Sequence, residues 1–321
     1  METQLENYLL KCSSMFYGLT PKLTRSLAYE YAGRNEKKKK IPEKWELTKL
    51  ASECWFTNFM QRHPRLSVRK PEATSLAGMT SFNRKNIGIF QNKLEDVLTR
   101  YSFTPAQIYN LDETGVTTIQ RVHKVVCKKG EYQIGKVISR IRGELMTHVG
   151  IICANGNALP PVWIFSRRRF DAARMMKSVP DDGLLGLAYP SGWMTRENFS
   201  QVLKRFVKNV RRYSENRVLL VMDNHESHIS LKTVEFCIAN GIVILTLPPH
   251  TSNKLQPLDR NVFGPFKTFF NQAADSWILS HPGQTLSIYD QPLMYFQSWD
   301  RVANPVNIKS GFRSTGIVSF D

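Results

Sequence analysis

Three aspartates in this sequence stand where a carboxylate could do chemistry. Asp112 follows the short apolar run Gln107–Leu111, Asp223 follows the continuous apolar run Arg217–Met222, and Asp259 falls in the first turn of a helix that begins near Gln256. An extended, polar segment, His250–Lys254, leads to that helix. A carboxylate at the end of a buried strand is costly unless something neutralises it. Three converging carboxylates repel one another and raise their own pKa values unless cations sit between them. Divalent metal ions answer that need, and an oxygen-only ligand set selects Mg²⁺ or Mn²⁺ over zinc. Two such ions, about 3.5–4 Å apart, would clamp the attacking and leaving oxygens of a phosphodiester. Each acid also has a structural use. Asp112 could cap the turn Asp112–Gly115, Asp223 could open an Asx-turn through Asn224, and Asp259 could complement a helix N-terminus.

Other constellations are weaker. Asp223 with His225, His228 and His250 has a zinc-ligand look, but no His-Glu-x-x-His helix accompanies it. No Gly-x-Ser-x-Gly elbow and no phosphate-binding Gly-x-x-x-x-Gly-Lys-Ser/Thr loop occurs in the 321 residues.

The elements that must hold these residues change character along the chain. Residues 1–70 predict three helices and no strand: one near Leu5–Tyr17, a second capped by Thr20 with Pro21 at its first position, and a third from about Thr48 to Pro64. The second helix sets Leu23, Leu27 and Tyr31 on one face; the third turns Leu50, Cys54, Trp55 and Phe59 inward. This outline, with a basic exit, fits a helix-turn-helix domain. Lys49, Arg62, Arg65, Arg69 and Lys70 are the expected DNA contacts, and Lys37–Lys40 could serve nuclear import or be a solvated loop. A helix over about Arg84–Tyr101 connects this region to the downstream domain and packs on that domain. After Pro105 come strands at Gln107–Leu111 and Lys124–Cys127, a hairpin from Thr147–Ala154 to Leu159–Phe165 across a type I′ turn at Asn155-Gly156, an amphipathic helix capped by Thr195, a buried strand at Arg217–Met222, a helix near Ile229–Ala239, and a strand at Ile242–Leu247. A last helix holds Asp259. The sum is a mixed sheet with helices packed on it, an α/β architecture.

Composition narrows the partners. Lys and Arg number 44 against 27 Asp and Glu, for a net charge of +17. Counted by segment, residues 1–73 carry +6, 74–150 carry +5, 151–260 carry +6, and 261–321 carry zero. An excess spread over most of the chain points to a polyanion, and nucleic acid is the commonest one. No stretch reaches the roughly 20 apolar residues of a membrane span, and Met1–Leu10 does not resemble a secretory signal. Cys12, Cys54, Cys127, Cys153 and Cys237 form no C-x-x-C pair and read as small buried hydrophobes in a reducing compartment. A soluble, intracellular protein is expected.

Long motifs then carry a resemblance. Ile108–Gly115, Val221–His228 and Leu247–Asp259 closely resemble the pogo-type DDE transposases, the group that includes the Tigger and jerky-like transposon-derived proteins; Ser191–Met194 and Gly311–Ile317 look like further family segments. Leu27–Ala32, Trp55-Phe56, Arg62–Pro64 and Leu66–Thr74 are similar to the second helix-turn-helix module of centromere protein B. The resemblance implies an RNase H-like catalytic fold behind an all-α module, with the domains 1–73, a helical connector at 74–104, and an endonuclease domain at 105–321. It implies that the family's acidic triad maps onto Asp112, Asp223 and Asp259, and that two Mg²⁺ or Mn²⁺ ions serve hydrolysis at a transposon end and attack of the freed 3′-hydroxyl on target DNA. Double-stranded DNA is the implied partner and the nucleus the implied compartment; no membrane is expected, and a homodimer is left open. Arg260 stands where the family carries a small or apolar residue. Members usually hold another helix-turn-helix before this one and a tail after the last segment, which motivates a second expectation: a domesticated nuclear DNA-binding protein without activity.

Overall fold

The computed structural model describes residues 2–14, 19–34, 41–69, 83–119, 143–177, 179, 184–210, 217–225, 227–228 and 230–318. The chain divides into two compact units, Met1–Met79 and Thr80–Asp321.

The first unit is helical: α1 (Glu2–Ser14), α2 (Pro21–Arg34), α3 (Glu43–Thr48) and α4 (Glu53–Arg62). Thr20 caps α2 by accepting from Leu23 N, and Pro21 takes the first position, as the sequence predicts. The expected third helix is two helices. Lys49 adopts a left-handed conformation that ends α3, and Ser52 opens α4 by accepting from Trp55 N. The small core is Leu5, Ala28, Ala51 and Phe59, walled by half-buried Leu27, Trp45 and Trp55. Trp55 stacks on Phe59 with ring centroids 5.0 Å apart. One inward assignment fails, since Cys54 is exposed; on α2, Leu23 is exposed because the helix presses its small residues Thr24 and Ala28 inward instead.

The second unit opens with α5 (Arg84–Tyr101), capped by Asn83, and buries Phe90 and Leu94. A six-stranded sheet comes next, ordered β4-β3-β2-β1-β5-β6. Its strands are β1 (Ile108–Thr117), β2 (Leu145–Cys153), β3 (Val162–Ser166), β4 (Leu185–Tyr189), β5 (Val218–Met222) and β6 (Ile242–Thr246). β2 runs antiparallel to β1 and β3; β3–β4, β1–β5 and β5–β6 are parallel. Between strands lie α6 (Ala172–Met175), α7 (Arg196–Val210) and α8 (Leu231–Ala239), and after β6 come α9 (Ser252–Leu255), α10 (Pro257–Asn261), α11 (Phe263–Ser280), α12 (Gln291–Val302) and α13 (Pro305–Thr315). This is the expected α/β class: a mixed, RNase H-like sheet behind a helical region.

Both sheet faces are covered. α7 buries Phe199, Val202, Leu203 and Phe206 against Tyr109, Leu111, Ile151 and Leu220. The other face packs Ile108, Met146, Trp163 and Val221 against Phe263, Phe266, Tyr295 and Phe312 of the last three helices. β5 is buried at all five positions, which explains its unbroken apolar run.

The structure corrects several expectations. β1 does not stop at Asp112; it continues to Thr117 because β2 pairs with it throughout. The turn after β2 is not type I′, since only Gly156, at φ 105°, is left-handed there. The segment before α10 is not extended: the Thr251 carbonyl accepts from Lys254 N and Leu255 N, so Ser252–Leu255 is helical. The helix holding Asp259 is short, and three longer ones come after it. The strand expected at Lys124–Cys127 and the run Lys37–Lys40 lie outside the described residues.

Candidate active site

β1 pairs with β5 only over Ile108–Asn110. Beyond that point β5 ends and β1 keeps going on β2 alone, which opens a notch on one side of β1. Asp112 and Glu113 line it, Asp223 comes directly after the end of β5, and α10 brings Asp259.

Two buried amides close the notch at its base. Asn110 Nδ2 donates to Val221 O of β5 at 3.0 Å and to Gln256 Oε1 at 2.7 Å. Gln256 Nε2 donates to Leu111 O at 3.0 Å, and Leu258 N donates to Asn110 Oδ1 at 3.1 Å. Both side chains are fully buried. They join β1, β5 and the start of α10, and so fix Asp259 relative to Asp112. Sequence reasoning missed both. Their signal was present in an amide inside the apolar run Ile108–Leu111 and a glutamine at the first turn of the acid-bearing helix, but the pairing spans 146 residues.

Alternation along β1 sends Asp112 and Glu113 to opposite faces. Asp112 is buried, and its carboxyl is raised well above the ordinary range by burial, then by the charges of Asp259 and Glu113, against a hydrogen bond from Gln256. On the other face Glu113 Oε1 lies 3.0 Å from His228 Nε2. His228 Nδ1 lies 2.7 Å from Asp223 Oδ1, off the line of a good hydrogen bond. The imidazole is 2 % exposed and rests on Phe199 with ring centroids 4.4 Å apart. Burial alone would lower its pKa, but the two carboxylates push it up to about 10, so it is an imidazolium at neutral pH. Burial raises Asp223, yet His228 and the His225 N–H outweigh that and hold its carboxyl below the ordinary range. The 3.1 Å bond from His225 N to Asp223 Oδ1 is the Asx-turn considered for this residue.

The predicted residues can now be placed. Asp112 and Asp223 flank the notch, and Asp259 is exposed on α10, near enough to Asp112 to raise its pKa. Their donor atoms are all oxygen, and the repulsion among them makes the notch a place for positive charge. As placed, no three His, Cys, Asp or Glu side chains among the described residues form a group that could hold a metal ion. That also sets aside the zinc constellation: His228 is engaged by Glu113 and Asp223, and His225 Nδ1 by Ser227 Oγ at 2.8 Å. In the first unit, Lys49 Nζ reaches Tyr29 Oη at 3.2 Å, Arg62 grips Glu2 through two nitrogens at 2.8 and 3.0 Å, and Arg65 stands 3.9 Å from Glu6. Arg69 is exposed and Lys70 lies outside the described residues.

Known proteins can be set beside this geometry. The solved structures it resembles include the Mos1 mariner paired end complex with Mn (TM-score 0.54, 12 % identity, 93 % of this chain and 77 % of that one) and the Mos1 strand transfer complex (TM-score 0.53, 12 % identity, 93 % and 76 %). At that identity the likeness is one of fold. A curated relative, the MFS-type transporter clz9 of Cochliobolus lunatus, is 30 % identical over 226 residues, 68 % of this chain and 24 % of that protein. The chain therefore spans about a quarter of that relative's length. No helix among the described residues is long and apolar enough to cross a membrane. The DDE superfamily endonuclease family matches residues 144–312, more than half of the chain. With a mixed sheet, acids at its opened central seam, and that match, this chain belongs to the DDE superfamily endonuclease family.

Proposed function

We propose that this protein is a transposon-derived, DNA-binding endonuclease and strand-transfer enzyme in which Asp112, Asp223 and Asp259 would hold two Mg²⁺ or Mn²⁺ ions after drawing closer than they stand here. The observation that carries the proposal is the notch beyond the β1–β5 pairing, where Asp112 is raised by burial and then by the charges of Asp259, Glu113 and, least, Asp223. Divalent cations, when bound, supply the positive charge that offsets the attacking and leaving oxygens of a phosphodiester. The chain's own residues do the rest. His228 lies between Glu113 and Asp223, Gln256 and Asn110 hold α10 to β1, and α10 carries the exposed Asp259. Double-stranded DNA is the proposed substrate. The Mos1 structures, a strand transfer complex and a paired end complex, support that chemistry for this fold. The nucleus is the proposed compartment. Lys49, Arg62, Arg65, Arg69 and Lys70 are proposed phosphate contacts. For Arg62 the contact would require release of Glu2, so Arg69 is the better probe.

The test is Mg²⁺- or Mn²⁺-dependent nicking of generic DNA by the full chain. Activity that disappears in Asp223→Asn is expected; equal nicking by that variant would sink the assignment. No cleavage and no bound divalent cation, with DNA binding retained, would instead establish a domesticated binding protein. Arg69→Ala should weaken DNA binding and flatten its salt dependence by about one unit of slope, read from a titration across a salt series.

A further inference from the structure

The segment Ser191–Met194 plays no part in the aspartate site, yet it holds the most exposed tryptophan among the described residues of the second unit. Trp193 is 62 % exposed. A tryptophan carries roughly 150–250 Å² of apolar surface, and leaving it in water is unfavourable unless something covers it in use. Its position is built. Gly192, at φ 77°, turns the chain back, and its N–H donates to Tyr189 O at 2.8 Å. A Cβ on Gly192 would lie 3.2 Å from both Leu145 O and Ser166 Cβ, so the turn presses against the start of β2 and the end of β3. A side chain there would crowd both neighbours and strain the left-handed backbone.

The topology says which edge this is. β1, β3, β4 and β5 run in one direction, so their carboxyl ends share an edge of the sheet. Asp223 comes after β5 at that edge, and the notch of Asp112 opens toward it. Arg167, Arg168 and Arg169 come after β3, Tyr189 ends β4, and Trp193 is four residues later. Arg167 is engaged by Glu144 at 2.8 Å and by the Tyr289 ring, while Arg168 and Arg169 are exposed. Strands about 4.8 Å apart put β3 and β4 about 10 and 14 Å to the side of β1, and the register sets their carboxyl ends level with Thr117, about 17 Å beyond Asp112 along the strand. The combined span of about 20 Å is about six nucleotides at the roughly 3.4 Å per nucleotide of a duplex strand, and fewer where the strand is unpaired and stretched. An exposed aromatic beside arginines is the combination that binds unpaired nucleotides, the ring stacking on a base and the cations tracking phosphates.

We propose that Trp193 is a stacking platform for one unpaired base, within about six nucleotides of the phosphate at the aspartate site, with Arg168 and Arg169 on the same strand's backbone. The proposal rests on the DNA-cleaving reading above and adds the form of the substrate: DNA with a short unpaired flank next to the reacting phosphate.

The experiment measures binding by the full chain in chelator, in the Asp223→Asn background, so that cleavage plays no part. The probes are a fully paired duplex and the same duplex with an unpaired flank of about six nucleotides carrying 2-aminopurine at each flank position in turn. Fluorescence should be quenched most at one flank position. Trp193→Ala should abolish that quenching and weaken flanked DNA about tenfold or more while the paired duplex binds as before; Trp193→Phe should keep most of both signals. Arg168→Ala with Arg169→Ala should lower the salt slope by about two on flanked DNA. Equal affinity of Trp193→Ala for flanked DNA would overturn the platform, as would a changed sedimentation mass for that variant, which would make Trp193 a contact between copies. Failure of metal-dependent cleavage with the quenching intact would sink the enzymatic reading alone.

Discussion

Asn110 shows how much one buried amide can carry. It bonds Val221 O, Gln256 Oε1 and Leu258 N, and each of these groups is left without a partner if the side chain is cut back. An orphaned buried polar group costs about 1–3 kcal/mol, so Asn110→Ala should destabilise the protein by about 3 kcal/mol or more in urea unfolding. Gln256→Ala should cost less, about 2 kcal/mol, because Asn110 keeps Val221 O and Leu258 N. Asn110→Ala should lose metal-dependent nicking, since Asp259 is no longer held to β1, and Gln256→Ala should lower it, since only the Leu258 N bond to Asn110 remains. Retained nicking in a folded Gln256→Ala protein would show that the amide pair supports the fold without placing the acid. His228 acts on the other face in a different way. It is a cation between two carboxylates, and removing one member of a buried charged cluster usually costs more than the cluster contributes.

Gly311 poses the same question for whole elements. A Cβ there would lie 2.7 Å from Pro257 O, a backbone atom of α10, so α13 and α10 touch through a residue that must have no side chain. Gly311→Ala should push α10 outward. The expected cost is about 1–3 kcal/mol of stability, with a larger loss of nicking than of DNA binding. An unchanged melting temperature and nicking rate would mean that α10 adjusts freely. The contact also marks what was legible in the sequence. Five of the six strands and their neighbours were, because β5 is an unbroken buried run and α7 has a clean helical stripe, whereas β4 was not read as a strand. The run Asp112–Gly115 looked like a turn because it is polar, whereas pairing to β2 makes it strand. Helices α11–α13 escaped because their apolar residues, such as Phe263, Phe266 and Tyr295, cover a sheet face from positions far along the chain. The Asn110–Gln256 pair was hidden for the same reason: local spacing does not encode a contact made across two folded layers.

At the scale of the whole molecule the charge pattern acquires a physical reason. The neutral stretch 261–321 forms the helices that cover one sheet face, where Phe266, Phe270, Tyr295, Trp299 and Phe312 are buried, while the excess of +17 lies on the rest of the chain. That covered face also contains His148, fully buried with its ring 4.5–5.8 Å from those of Phe263, Phe266, Tyr295 and Trp299. Its Nδ1 has no hydrogen-bond partner, and burial lowers its pKa from 6.5 to about 3. The folded protein therefore keeps this imidazole neutral while the unfolded chain protonates it as pH falls below 6.5. Between about pH 6.5 and pH 3 the unfolded state binds the extra proton, so stability drops with acidification. At about 1.4 kcal/mol per unit, the loss is about 2 kcal/mol by pH 5. Asp112 works in the opposite direction, since its raised pKa makes the folded state the better proton acceptor as pH falls. Comparison with His148→Phe cancels that contribution. The variant should unfold in urea with a midpoint that falls less steeply from pH 7 to pH 5 than that of the wild type. Parallel pH profiles would mean that water reaches the ring and that the aromatic layer is looser than its packing indicates.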